Sequence, residues 1–201
     1  YVLAPPEVAP VSDLVGRPYL LAIGTLERRK NIPVLVQAFG HLAHDHPELQ
    51  LVLAGDDGDD RAAIDAAVDA LGPGVAPRVL FTGRVHDSTR SWLLHHAAAL
   101  AYPSLDEGFG FPLLDAMQAR VPVVAGRAGS IPEVAGDAAL LCAPDDVSGL
   151  TANLATALTD DSERARLVAA GEARWRRFTW EQCATEMAGL YRTLAGTGAS
   201  R

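Results

Sequence analysis

The sequence predicts an α/β fold, a parallel sheet flanked by helices, and three observations carry that prediction. Short apolar runs alternate with segments of helical period along most of the chain. The runs are continuously apolar, as strands covered on both faces are, rather than alternating apolar and polar. Nearly every run ends in Gly, Pro or Ser, which places flexible loops at the carboxyl ends of the strands, where ligands bind in such sheets.

Each element follows in order. The opening "APPEVAPVSDLVGRP" is proline-rich and reads as a linker over residues 1–17. "YLLAIG" (19–24) is a buried strand. "IPVLVQAFGHLAHDHP" follows as a helix, with Leu35, Val36, Phe39 and Leu42 at helical spacing and Pro33 in the first turn. "LQLVLAG" (49–55) is a strand and "DRAAIDAAVDALG" a helix closed by glycine. "RVLFTG" (78–83) is a strand, and "DSTRSWLLHHA" a helix capped by Asp87 or Ser88. "AALAYPS" is a strand, "FPLLDAMQAR" a helix, "VPVVAG" a strand, and "AALLCAP" (138–144) a last strand. "SIPEV" resembles a short capped helix, with Glu133 three residues after Ser130. Three helices finish the chain over 147–158, 162–178 and 180–194. Repeats and low-complexity segments are absent from the sequence.

The totals narrow the function. The 201 residues are 49% hydrophobic and 21% charged, an ordinary globular composition. A net charge of -8 argues against a nucleic-acid partner. Cys142 and Cys183 match no zinc or redox spacing and read as reduced thiols of a cytoplasmic protein. No apolar run approaches the ~20 residues of a membrane span, and no signal peptide is visible. The chain opens without Met, which reads as a piece of something longer.

The strand-end loops hold the candidate chemistry. "GTLERRKN" (24–31) sets Arg28, Arg29 and Lys30 at a helix start. It reads either as a diphosphate site, where N–H groups and the helix dipole add to the cations, or as a solvated basic turn. "GDDGDD" (55–60) misses the calcium-loop spacing and reads as a solvated, helix-capping turn, so no metal is expected. "TGRVHDS" (82–88) carries a glycine that allows close backbone approach, and His86, which reads as solvated. His95 and His96 are adjacent on a helix and make a poor metal pair. In "YPSLDEGFGFPLLDA", Glu107 lies on a glycine turn, Pro112 starts a helix, and Asp115 sits about one turn inside it. The two acids either touch different parts of one extended ligand or only favour the helix dipole, a reading that leaves Gly108 and Gly110 without a purpose. "AGRAGS" adds a further loop with Gly126, Gly129 and Ser130.

Taken in order, "GTLERRKN", "LVLAG", "VLFTGRV" and "YPSLDEGFGFPLLDAMQARVPVVAGRAGSIPEVAGDAALL" resemble the nucleotide-sugar-binding half of the group-1 retaining glycosyltransferases, over residues 18–194. The resemblance implies a Rossmann-like parallel sheet flanked by helices, one half of a GT-B enzyme. Residues 18–201 would be the C-terminal donor domain, with the N-terminal acceptor domain absent and the last helix near the crossover to it. The family pattern is Glu, seven residues, Glu; here Glu107 is followed after seven residues by Asp115, one methylene short. The resemblance makes Glu107 the catalytic residue that binds sugar hydroxyls, and Asp115 the reader of the ribose. It implies diphosphate binding by Arg29 and Lys30, and donor contacts at Gly24, Val85, Ser104, Gly108, Phe109, Gly110, Phe111 and Leu114. Thr25 stands where many members carry Arg. The form of "GTLERRKN" resembles a subgroup rich in mannosyltransferases, which suggests GDP-mannose.

The implied partners are a nucleotide-sugar donor, an acceptor of glycan or lipid-linked type, and the missing N-terminal half. No cofactor or metal is expected, because fixed donors would stabilise the leaving diphosphate. The implied location is the cytoplasm, at the inner face of the membrane. Two other readings stand beside this one: a non-catalytic nucleotide-binding α/β module, and half of a sugar-nucleotide epimerase. No G-x-G-x-x-G follows the first strand to favour the module.

Overall fold

A computed structural model describes residues 14–197. Six strands, β1 (Tyr19–Ile23), β2 (Gln50–Ala54), β3 (Val79–Gly83), β4 (Ala99–Tyr102), β5 (Val123–Gly126) and β6 (Ala139–Cys142), form one sheet in the order β3-β2-β1-β4-β5-β6. Every pairing is parallel. The helices are α1 (Ile32–Asp45), α2 (Arg61–Asp69), α3 (Asp87–His96), α4 (Phe111–Gln118), α5 (Ile131–Ala135), α6 (Val147–Thr159), α7 (Asp161–Trp175) and α8 (Trp180–Thr197). The expected α/β class, Rossmann-like sheet and element order are all present.

Side-chain alternation explains why the strands are almost entirely apolar. In β1, Tyr19 and Leu21 join one core with α3, α4 and α5, while Leu20 and Ala22 join a second core with α1 and α6. β2 divides the same way, with Val52 and Ala54 on the first face and Leu51 and Leu53 on the second. A strand with both faces covered has few positions to spare for a polar residue, and in β2 the one polar residue, Gln50, stands at its start. The strand order reverses between β1 and β4, so a crevice opens outside their carboxyl ends, the position where open α/β sheets bind ligands.

Local details depart from expectation in three places, and the expected linker is only partly described. Residues 1–13 of the expected linker lie outside the described residues, and Leu14 is buried in the first core. Neither Asp87 nor Ser88 caps α3: the N-cap is His86, with no side-chain cap. Asp60 stands at the N-cap of α2 but makes no cap bond; its loop is tied instead to residues 26–28, through a Leu26–Asp57 bridge and Arg28 N–H to Asp59 Oδ1 at 2.9 Å. α7 ends at Trp175, three residues before the expected Phe178, whose ring packs edge-on against Phe109 with centroids 5.6 Å apart. Among the described residues, no helix is long and apolar enough to cross a membrane.

Candidate functional site

The site is assembled where the β1 and β4 loops meet across the crevice. The β1 loop begins at Gly24, whose φ of +133° suits glycine. Gly55, after β2, nests so closely that a Cβ there would lie 2.0 Å from the Gly24 carbonyl oxygen. Arg28–Lys30 form a single 3-10 turn ahead of α1, where the sequence suggested the helix itself. Asn31 leaves that turn in the left-handed region, which Asn tolerates better than most residues. Its amide donates to Pro103 O at 3.2 Å and Pro144 O at 2.6 Å, and Leu105 N–H donates to Arg29 O at 2.7 Å. These bonds tie the β1 loop to the β4 loop and to the segment after β6.

Within that frame Arg29, Lys30 and Glu107 converge. Lys30 is turned inward and buried; its Nζ lies 2.6 Å from Glu107 Oε1 and donates to the Tyr102 hydroxyl at 2.8 Å. Arg29 reaches the same carboxylate oxygen from the solvent side, at 2.9 Å, and also pairs with Glu27 at 2.7 Å. Burial pushes the Glu107 carboxyl up, but hydrogen bonds from Lys30 and Tyr102 and the Lys30 charge outweigh it, and the group sits below its ordinary range. Burial raises the Tyr102 phenol far above its usual value, with Glu107 adding to the effect, so the hydroxyl keeps its proton.

Glu107 is held from behind by the β5 loop. Ser130 N–H and Oγ both donate to the Glu107 carbonyl, at 3.2 and 2.9 Å. Ser130 is the N-cap residue of α5 but makes no side-chain cap, so the expected capping box is replaced by this contact. Gly129, at φ +52°, lies against the same segment; a Cβ there would stand 2.8 Å from both Glu107 N and O. The turn then runs through Gly108 to Gly110, the N-cap of α4 at φ +94°, with Pro112 in the first turn of the helix as expected.

The other expected residues fall as follows. Ser104 is fully buried, and its hydroxyl faces the Glu107 carboxylate and the Tyr102 hydroxyl, helping to lower both groups. It shares one small cavity with Gly24, Lys30 and Tyr102. Phe109 and Phe111 pack together with centroids 4.8 Å apart, and Phe111 remains exposed at the rim. Val85 and Leu114 are partly buried against the first core. Asp115 does not share the open part of the crevice: its side chain is 2% exposed and is paired with the Arg90 guanidinium of α3. Burial holds its carboxyl above the ordinary range, against the pull of Arg90.

Sequence reasoning missed Tyr102, Asn31 and Arg90. A tyrosine ending an apolar strand, and an Asn directly after a basic triplet, were the available signals. Arg90 gave none, since nothing in "DSTRSWLL" marks it as a partner of Asp115. Among the described residues no cluster of His, Cys, Asp and Glu could hold a metal ion. His95 and His96 instead bond through Nδ1 to Ser91 O and Trp92 O of their own helix, each at 2.8 Å.

Comparison with known proteins gives the family and the fold. Residues 9–174 match the family model described as glycosyl transferases group 1. The chain is 37% identical over 196 residues to the O-antigen chain mannosyltransferase B of Escherichia coli, covering 95% of this chain and 51% of that one. It is 32% identical over 175 residues to a phosphatidyl-myo-inositol mannosyltransferase of Mycolicibacterium smegmatis, covering 86% and 44%. Its fold superposes on a sucrose-phosphate synthase of Thermosynechococcus elongatus with a TM-score of 0.77 at 27% identity, covering 98% of this chain and 52% of that one. The chain spans about half the length of the curated relatives it matches. It belongs to the group 1 glycosyltransferases, and its sheet is the Rossmann-like unit of the GT-B architecture.

Proposed function

We propose that this member of the group 1 glycosyltransferases is the donor-binding half of a retaining hexosyltransferase, and that its donor is GDP-mannose. One observation carries the reading. A carboxylate and two cations from opposite sides of the strand-order reversal meet at the mouth of one crevice, Glu107 with Arg29 and Lys30. A nucleotide-sugar offers the complementary pair of groups, an anionic diphosphate beside a ring of hydroxyls. Mannose is favoured by the names of two relatives, both mannosyltransferases.

In this reading the bond between the anomeric carbon and the diphosphate oxygen breaks as the acceptor hydroxyl oxygen bonds that carbon and its proton passes to the departing phosphate, on which negative charge gathers. Arg29, Lys30 and the amino end of α4 stabilise that charge without a metal. Glu107 accepts hydrogen bonds from the sugar hydroxyls, and Asp115 reads the ribose once the contact with Arg90 rearranges. The acceptor, a glycan or a lipid-linked sugar, binds with the N-terminal half of a longer protein, and the enzyme works in the cytoplasm at the inner face of the membrane.

Calorimetry of GDP, UDP, GDP-mannose and UDP-glucose against the 201-residue chain tests the reading. Binding of GDP-mannose about tenfold tighter than UDP-glucose, unchanged by EDTA, is the expected result; tenfold is ~1.4 kcal/mol, about one good hydrogen bond. Absence of binding by all four would overturn the donor-site reading. Preference for UDP-glucose would overturn the choice of mannose, and loss of binding in EDTA the metal-free mechanism.

A further inference from the structure

We propose that Glu107 is the resident anion of the Arg29–Lys30 site, and that it makes the site favour an intact nucleotide-sugar over the nucleoside diphosphate released from it. The inference rests on the donor-site reading above and adds a direction to it. Both cations that a diphosphate would need are already engaged, and on a single oxygen: Lys30 at 2.6 Å and Arg29 at 2.9 Å from Glu107 Oε1. The acid cannot ignore their withdrawal, because its side chain is 8% exposed and water cannot replace them fully.

An incoming diphosphate must therefore compete with a carboxylate for the same donors. An intact donor brings the substitute with it, since its sugar hydroxyls donate to Glu107 as the cations turn to the phosphate. A nucleoside diphosphate brings no such groups. It leaves Glu107 short of donors and sets a second anion beside it. The same residue thus strengthens capture of the donor and weakens retention of the product. Glu27 also faces Arg29, but its side chain is more exposed than that of Glu107, and its contact with Lys30 is through its backbone carbonyl, which accepts from Lys30 N–H at 2.8 Å. The Tyr102 hydroxyl accepts from Lys30, donates to Glu107 and is neutral, so it stays with the acid but cannot replace two positive charges.

The test is titration of inorganic pyrophosphate, GDP and GDP-mannose against the wild-type chain, Glu107→Gln and Glu27→Gln, with melting curves to establish folding. Glu107→Gln should bind pyrophosphate and GDP about tenfold more tightly than wild type, and GDP-mannose more weakly. Pyrophosphate removes any dependence on the base. Glu27→Gln frees one screened cation only, and should shift all three ligands by the same factor of about two or less. If Glu107→Gln fails to fold, Glu107→Asp draws the acid back by one methylene, and the same signs are expected with smaller changes. Unchanged or weaker binding of pyrophosphate and GDP by a folded variant would overturn the inference while leaving the donor site standing. A wild-type chain that binds none of the ligands would overturn the donor reading and this inference with it.

Discussion

Glu107 and Asp115 lie eight residues apart in one segment, and their side chains are 8% and 2% exposed. Each is paired with arginine, yet their carboxyls shift in opposite directions, Glu107 below its ordinary range and Asp115 above. Burial pushes both carboxyls up and by itself does not explain why they end on opposite sides of the ordinary range. What differs is the number of donors. Glu107 draws on Lys30, Arg29 and the Tyr102 hydroxyl, from loops on both sides of the strand-order reversal. Asp115 has Arg90 of the neighbouring helix as the partner that lowers it, within an otherwise apolar wall. The first acid is presented to the crevice, and the second is part of the body of the domain in this structure.

The largest expected effect removes the guanidinium from Asp115. Arg90→Met should lower the unfolding free energy by about 3 kcal/mol, because it leaves a buried acid without its counter-charge. That value is at the low end for broken buried pairs, since the acid can take up a proton. Adding Asp115→Leu should restore most of the loss, as apolar replacement of both members often does. Urea unfolding of the single and double variants measures both. The matching deletion at the other acid, Arg29→Met, should cost less than about 1 kcal/mol, because Arg29 is half exposed and Lys30 remains in place. Equal losses at the two sites would erase the contrast between them.

A smaller effect sharpens the Glu107 side. Gly129→Ala puts a methyl group 2.8 Å from the Glu107 backbone, at a φ that L residues rarely adopt. The left-handed conformation alone costs roughly 1–2 kcal/mol, so a loss of about 2 kcal/mol in stability is expected. Donor affinity should fall as well, because the carbonyl held by Ser130 belongs to Glu107 itself. A variant that loses stability but binds GDP-mannose as before would mean the β5 loop does not position the acid.

The fold was legible because the β/α alternation comes from a local rule. Strands covered on both faces are almost entirely apolar, and the loops between them carry Gly, Pro or Ser. The cations and the first acid were legible for the same reason: each stands at a strand end, where the topology collects ligand groups. What escaped is long-range or depends on competition between hydrogen-bond acceptors. Tyr102 meets Lys30 across 72 residues, and Arg90 meets Asp115 across 25. Ser130 followed a local capping pattern, but its hydroxyl bonds the Glu107 carbonyl, which tertiary structure brings to it. Asp59 likewise serves the N–H of Arg28 rather than its own helix.

The smallest expected effect is the pH dependence of stability, and its sign separates the two acids. The folded Glu107 carboxyl binds its proton less readily than the unfolded one. Its contribution to stability is fully present above the unfolded value of about 4.3 and is lost as pH falls through the lower folded value. Asp115 runs the other way. Its folded carboxyl holds the proton more readily than the unfolded one. Its contribution is fully present below about 3.9 and declines as pH rises through the higher folded value. In urea titrations between pH 3 and 6, the stability of the wild type minus that of Glu107→Gln should rise with pH. The wild type minus Asp115→Asn should fall with pH over the same range. Taking differences cancels the other carboxylates, which titrate alike in each pair of proteins. Two differences of the same sign would mean that the donors around Glu107 do not outweigh its burial, or that Arg90 keeps Asp115 ionised as effectively as two cations keep Glu107. In either case donor number would no longer explain why one acid faces the crevice charged and the other is held in the wall.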